Sequence, residues 1–135
     1  MPVIPLPCEE IVLRAVLRKS WIDPETKRIT ATAFMRDPKK DEDGLSVNIR
    51  STTDLHAWLG GFNKSFGADS LHTGTIRDVD AHLDVSQTDE GTAEDPSHAV
   101  ITGLPFGDDD PKRAESLASR LRDMSRIADR QLRQK

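Results

Sequence analysis

The sequence predicts an α+β domain, in which a mostly antiparallel sheet of about five strands packs against one short helix and a long C-terminal helix. Two observations lead to this prediction. Short segments of alternating apolar and polar residues recur over positions 11–104 and are separated by turn-forming residues, as in antiparallel strands. In the last part of the chain, the helix-start sequence Asp110-Pro111 is instead followed by apolar residues at helical spacing. Mixed strands followed by one long helix favour α+β over a parallel α/β arrangement.

Length and composition predict a single domain over residues 1–135 with an aliphatic core. A chain of this size buries roughly two-thirds of its unfolded surface, which suffices for a core without disulfides. Aromatic residues make up only 4% of the chain and tyrosine is absent, so Leu, Ile, Val and Ala must fill most of the interior.

The predicted strands follow the alternating segments. They are placed at 11–18, 45–50, 71–79, 83–86 and 98–104, while 29–35 is compatible with either a strand or a short helix. Residues 1–9 contain three prolines and are expected to form an extended arm. In the first strand Arg14 shares one face with the apolar residues Val12 and Val16. Burying Arg14 there requires an acceptor, because an unpaired buried charge is costly.

Two segments carry helix signals. The run Ser51-Thr52-Thr53-Asp54 is a helix start, and Leu55, Trp58, Leu59 and Phe62 follow at the spacing of one helical face before Gly60-Gly61 ends a short helix. The second helix is predicted over 111–133, with Asp110 as its N-cap and Pro111 at its first position.

The C-terminal segment is basic although the chain carries a net charge of −4. Residues 112–135 carry +5 and residues 1–111 carry −9, a charge asymmetry typical of interaction surfaces. The candidate partner-binding residues are arginines on this segment: Arg113, Arg120, Arg122, Arg126 and Arg130. They could pack on the acidic body, bind an acidic protein partner or a second copy of the chain, or contact nucleic acid. Nucleic acid is the less favoured ligand, since the segment has no aromatic residue for base stacking.

Several function classes find no support in the sequence. Cys8 is the only cysteine, so an intrachain disulfide is impossible and a cytoplasmic location is expected. No apolar segment reaches the ~18 residues of a membrane-spanning helix. Phosphate-binding glycine loops and metalloprotease motifs are also missing, and neither a metal nor a cofactor is predicted.

Four residues are candidates for catalysis: Arg14, Ser46, His72 and His98. An arginine on a strand can bind phosphate through two nitrogens, while a hydroxyl and an imidazole can orient a ribose or an attacking group. His72 and His98 both begin predicted strand segments, so they could instead converge with Asp84 on a metal. The alternative to both ideas is that the histidines and Arg14 are structural.

The set of Arg14, Ser46 and His72 resembles RES-type and other ADP-ribosyltransferase-like folds, in which an early strand carries Arg or His and a later one a serine-type motif. That resemblance implies a nucleotide-like substrate. The family's later glutamate has no clear match in this sequence, and Glu90 and Glu94 are the nearby candidates for it. Longer segments, such as residues 12–22, 41–47 and 98–103, resemble a group of short uncharacterised bacterial proteins. This second resemblance implies a bacterial cytoplasmic origin and brings no activity with it.

The leading functional expectation is a small interaction or regulatory module that acts through a protein partner. It rests on the incomplete catalytic set and on the segregated charge. The alternative is a small enzyme on a nucleotide-like substrate, with the four candidate residues around one pocket. Nucleic-acid binding through the C-terminal helix is the third hypothesis.

Overall fold

A seven-stranded antiparallel sheet forms the framework of the protein. The computed structural model describes residues 3–36, 44–88, 97–129 and 133–134. The strands are β1 Val3–Pro5, β2 Ile11–Ala15, β3 Leu45–Ile49, β4 Lys64–Ser65, β5 Ala68–His72, β6 Asp84–Thr88, β7 His98–Thr102, β8 Arg126–Asp129 and β9 Arg133–Gln134. In the main sheet their order is β1-β6-β7-β3-β2-β5-β8, and β4 pairs separately with β9.

Within the described residues, three α-helices and three 3₁₀ turns connect and cover these strands. The helices are α1 Leu55–Gly60, α2 Thr73–Val79 and α3 Pro111–Met124, and the 3₁₀ turns lie at Lys19–Trp21, Ala31–Phe34 and Arg50–Thr52. In the portion of the chain that the structure describes, no helix is long and apolar enough to cross a membrane.

The main core lies on one face of the sheet, as the alternating pattern predicts. Val12 and Val47 contribute from neighbouring strands, and Leu117 and Leu121 of α3 pack in the same cluster. A smaller cluster lies elsewhere, where Leu59 of α1 packs with Ala15 and Ala68. Because Ala15 belongs to one cluster and Val12 to the other, both faces of β2 are buried, as expected for an inner strand.

The predicted fold class is confirmed, but the sheet has seven strands rather than about five. The two additional edge strands come from segments that lack a strand pattern of their own. Val3–Pro5, within the predicted arm 1–9, pairs with β6, and Arg126–Asp129 pairs with β5. Both pairings join residues far apart in sequence, which local alternation cannot predict.

One predicted boundary and one predicted element are wrong. The helix predicted over 111–133 ends at Met124, where Ser125 adopts an extended conformation and its amide donates to the carbonyls of Leu121 and Arg122. The strand predicted over 71–79 ends at His72, and Thr73–Val79 is helical. Ile76 and Val79 are one helical turn apart, so both can reach the main core from α2.

The segment 29–35 forms a 3₁₀ turn at Ala31–Phe34, which places the fully buried Phe34 beneath α3. The strands predicted at 11–18, 45–50, 83–86 and 98–104 are confirmed with ends that differ by a few residues. Asp110 is confirmed as the N-cap of α3, because its carboxylate accepts from the Arg113 amide.

Gly103 directly follows β7, at a position where a side chain would have no room. Its φ is +94°, and a Cβ at this position would overlap the carbonyl oxygen of His82. Glycine therefore lets the end of β7 approach the turn before β6 closely.

Candidate binding cleft and the predicted site residues

Arg14 is buried in the main core rather than in an open pocket. Its side chain is only 9% exposed and its guanidinium lies 5.3 Å from the Trp21 ring centroid. Nε donates to the Ala33 carbonyl at 2.8 Å and Nη1 to the Ser46 carbonyl at 2.9 Å. In register, Arg14 is directly opposite the buried Asp69 of β5. This side chain thus fastens the 3₁₀ turn and β3 to β2.

Ser46 and His98 are close together on neighbouring strands. Ser46 Oγ and His98 Nε2 are 3.2 Å apart, and both residues are half-buried. In β3 Ser46 alternates with Leu45 and Val47 of the main core, so its hydroxyl lies on the opposite face from Arg14. A hydroxyl within hydrogen-bond distance of an imidazole can act as a nucleophile beside its base.

His72 lies at the end of β5, far from this pair. Going from β7 to β5 crosses β3 and β2, and three spacings of ~4.8 Å put the two histidine strands about 14 Å apart. The structure therefore brings together Ser46 and His98, but not the four predicted residues in one pocket. Glu90 and Glu94 lie outside the described residues.

The metal alternative also fails, because the proposed ligands His72 and His98 are not close to each other. Among the residues with described positions, no three His, Cys, Asp or Glu side chains are grouped as a metal site requires. Asp84 instead accepts a 2.8 Å hydrogen bond from Arg77, which also donates to Cys8 Sγ at 3.2 Å. The contact with Asp84 raises the pKa of the Arg77 guanidinium.

The candidate partner-binding arginines differ in their surroundings. Arg113 pairs with Asp80 at 3.0 Å and Arg122 with Asp123 at 2.8 Å. Arg120 is exposed on α3, whereas Arg126 is exposed on β8 rather than on the helix. Arg130 lies outside the described residues. The predicted basic helix surface is therefore partly neutralised.

A cleft of about 680 Å³ opens where β8 stops covering the edge of β5. β8 pairs with Ala68, Asp69 and Ser70, while Leu71 and His72, the next two residues of β5, line the cleft. The end of α3 forms another wall through Asp123 and Met124. Polar side chains from three separate segments surround the opening, with His72 and Thr75 on the same one: Arg28, His72, Thr75 and Arg126.

The charge of this cleft is positive. Arg28, His72 and Arg126 are exposed, and within the described ranges none of their side chains has an ion-pair or hydrogen-bond partner. The carboxylate in the lining, Asp123, is already paired with Arg122. Two guanidinium groups and an imidazole are thus available to an anionic ligand.

Sequence reasoning identified His72 and Arg126 but assigned them to different sites, and it missed Arg28 and Thr75. Arg28 lies just after the turn that begins at Asp23-Pro24, and Thr75 lies in a segment with a strand-like composition. Nothing near either residue in the sequence indicates a ligand. Only the tertiary structure brings them to one opening.

The basis for function is this geometry alone, because no protein-family model, no curated protein and no solved structure matches the chain.

Proposed function

We propose that this protein is a small interaction module that holds an anionic segment of a partner protein in the cleft at the edge of β5. The observation that carries the proposal is the presence of Arg28 and Arg126 in one cleft, both exposed and both without an ion-pair partner among the described residues. By contrast, Arg113 and Arg122 are held by carboxylates of the protein itself. The cleft is thus a place where positive charge remains available to a partner.

The walls of the cleft suit a peptide segment better than a lone ion. Ile11 and Met124, both partly exposed, supply apolar surface next to the basic groups. An apolar wall with a few polar groups that fix orientation is the usual composition of a binding site. A bacterial cytoplasmic setting is part of the same proposal and is supported by the single cysteine, which suits a reducing compartment.

Nucleic acid remains the less favoured partner. In α3, the ion pairs of Arg113 and Arg122 leave Lys112 and Arg120 as the cations that have no carboxylate partner among the residues with described positions. Affinity for a nucleic-acid backbone comes largely from Lys and Arg contacts with several phosphates, and two isolated cations provide few of them. Self-association through the same surface would require an acidic segment of a second copy in the cleft.

The proposal can be tested by selecting peptides from a displayed random library against the purified protein. We expect peptides rich in Asp and Glu to be enriched, because they complement the charge of the cleft. The double variant Arg28→Gln/Arg126→Gln should bind them at least ~10-fold more weakly, consistent with charge-assisted hydrogen bonds of ~1.5–3 kcal/mol each.

The matched control is Lys64→Gln/Lys112→Gln, which removes the same charge from exposed positions outside the cleft lining. Lys112 is eleven residues before Asp123 on α3, so it lies about 16 Å away along the helix axis. Equal weakening by both double variants would reject the cleft as the binding site, and so would selected peptides without acidic residues.

A second candidate is a small enzyme on a nucleotide-like substrate, and the 3.2 Å contact between Ser46 and His98 favours it. In this hypothesis Ser46 Oγ attacks C1′ of the NAD⁺ ribose, His98 Nε2 accepts the hydroxyl proton, and nicotinamide leaves with the electron pair of the broken C–N bond. Arg14 cannot bind the substrate phosphate, because it is buried on the other face of the sheet. Phosphorus NMR of the protein incubated with NAD⁺ would report turnover that is lost in Ser46→Ala and His98→Ala, and the absence of wild-type turnover would contradict this role.

A further inference from the structure

We propose that the anionic group recognised in the cleft is a phosphate monoester on the partner, as on a phosphorylated serine or threonine. This inference rests on the proposed function and specifies the chemistry of the segment that binds. It depends on the number of cationic groups in the cleft, on how firmly they are placed, and on the carboxylates around them.

The number of cations fits a phosphate monoester better than a carboxylate. A carboxylate has two oxygens, which one guanidinium satisfies through a bidentate pair. A phosphate monoester carries a charge of about −1.5 to −2 at neutral pH and three terminal oxygens, so it can engage two guanidinium groups together. Arg28 and Arg126 provide those two groups, and His72 adds an imidazole donor in the same lining.

Arg126 is well placed to bind an ordered group because its backbone is fixed. It opposes Ser70 in the β5–β8 ladder, and Ser70 Oγ donates to the Arg126 carbonyl at 3.4 Å. The preceding residue, Ser125, is also tied down through its hydroxyl, which donates to the Arg122 carbonyl at 2.8 Å. The Arg126 side chain therefore extends from a backbone whose position is fixed by the fold.

Thr75 supplies a hydroxyl donor that the protein does not use. It is exposed on α2, and within the described segments its side chain has no hydrogen-bond partner. By contrast, the hydroxyls of Ser70 and Ser125 already donate to backbone carbonyls. A phosphate oxygen could accept from the Thr75 hydroxyl while the two guanidinium groups hold the others.

The carboxylates near the cleft do not cancel this positive charge. Asp123 accepts from both Nε and Nη2 of Arg122, at 3.1 and 2.8 Å. Asp69 is 2% exposed, and its Oδ2 is 3.4 Å from Ser125 Oγ, so it lies beneath the lining. The ligand therefore meets two guanidinium groups and an imidazole against one carboxylate that is already paired.

The test compares three peptides of one sequence that carry phosphoserine, glutamate or serine at a central position. Binding is followed by fluorescence anisotropy, and the site is mapped by amide chemical shifts. We expect the phosphoserine peptide to bind at least 10-fold more tightly than the glutamate peptide and to shift the amides of residues 72–75 and 125–127. Arg28→Gln and Arg126→Gln should each weaken the phosphopeptide at least 5-fold, while Lys64→Gln and Lys112→Gln should not.

The outcomes separate this inference from the proposed function. Equal affinity of the phosphoserine and glutamate peptides in the cleft would overturn the phosphate inference and leave the interaction module standing. Failure of all acidic peptides to shift the cleft amides would overturn both. Inorganic phosphate serves as a further probe, and binding as tight as the phosphopeptide would assign the site to the free anion. Displacement of the phosphopeptide by a lower concentration of single-stranded RNA would also overturn the inference.

Discussion

At the centre of the sheet, Arg14 extends from β2 into the main core, where its guanidinium is held by the Ala33 and Ser46 carbonyls. The sequence indicates that a buried Arg14 needs an acceptor, and the structure supplies two backbone carbonyls. The sequence does not indicate which carbonyls accept, because Ala33 and Ser46 are distant from Arg14 in the chain. The same uncertainty led to the prediction that Arg14 binds a ligand.

We expect Arg14→Ala to lower the free energy of unfolding by about 3–5 kcal/mol, the usual cost of removing one partner from a buried charged group. The variant leaves the two carbonyls without their donors and the buried Asp69 without the cation opposite it. Arg14→Lys keeps the charge but not the planar fork, so its loss should be smaller. Urea unfolding measures both, and a loss below ~1 kcal/mol for the alanine variant would contradict the structural role.

At the scale of one element, α3 shows which helix boundary a sequence can predict. Its start is local: the Asp110 carboxylate accepts from the Arg113 amide, and Pro111 needs no amide partner. Its end is not local. The apolar residues Ile127 and Ala128 are compatible with a continuing helix, but residues 126–129 pair with β5 instead.

Replacing the N-cap, Asp110→Ala, should destabilise the protein by about 1 kcal/mol, since the first-turn amide of Arg113 loses its acceptor. Asp109→Ala is the matched control, because Asp109 is an exposed aspartate just outside the cap position. Its effect should stay within ~0.5 kcal/mol, as for ordinary surface positions. Equal effects of the two substitutions in urea unfolding would show that the loss is one of charge rather than of capping.

At the scale of the whole molecule, one polar cluster links the turn after α2 to the first turn of α3. Asp80 Oδ1 accepts from the His82 amide at 2.9 Å and from Arg113 Nη2 at 3.0 Å, and it lies 3.1 Å from His82 Nδ1. The backbone hydrogen bond from His82 is the main cause that lowers the pKa of the Asp80 carboxyl, with Arg113 adding to it. The cluster therefore links α2 to α3 from outside the core.

This link predicts a pH-dependent contribution to stability. Because the folded state lowers the pKa of Asp80, the stabilisation is present at neutral pH and is lost as pH falls through the folded-state pKa. Asp80→Asn should lower the urea midpoint at pH 7, and its difference from wild type should shrink below about pH 4, where ordinary aspartates become protonated. Asp78→Asn, an exposed position on α2, is the control. A difference that stays constant into acid would contradict this account.

The amino-acid sequence alone determined the features that depend on neighbours along the chain. The alternation in β2 and β3, the apolar stripe of α1 and the start of α3 each follow from residues within a few positions of one another. The fold class follows from the order of such segments. These features are predictable because strand pleating, helical spacing and helix capping act over one or two turns.

The tertiary structure decided what depends on long-range pairing. Residues 126–129 pair with the open edge of β5 instead of continuing the helix. Local propensity is too weak to override this pairing. The cleft is a consequence of the same pairing, since β8 covers part of that edge and leaves Leu71 and His72 beside it. Arg28, Thr75 and Arg126 meet there from three distant segments, so their common site exists only once the sheet has formed.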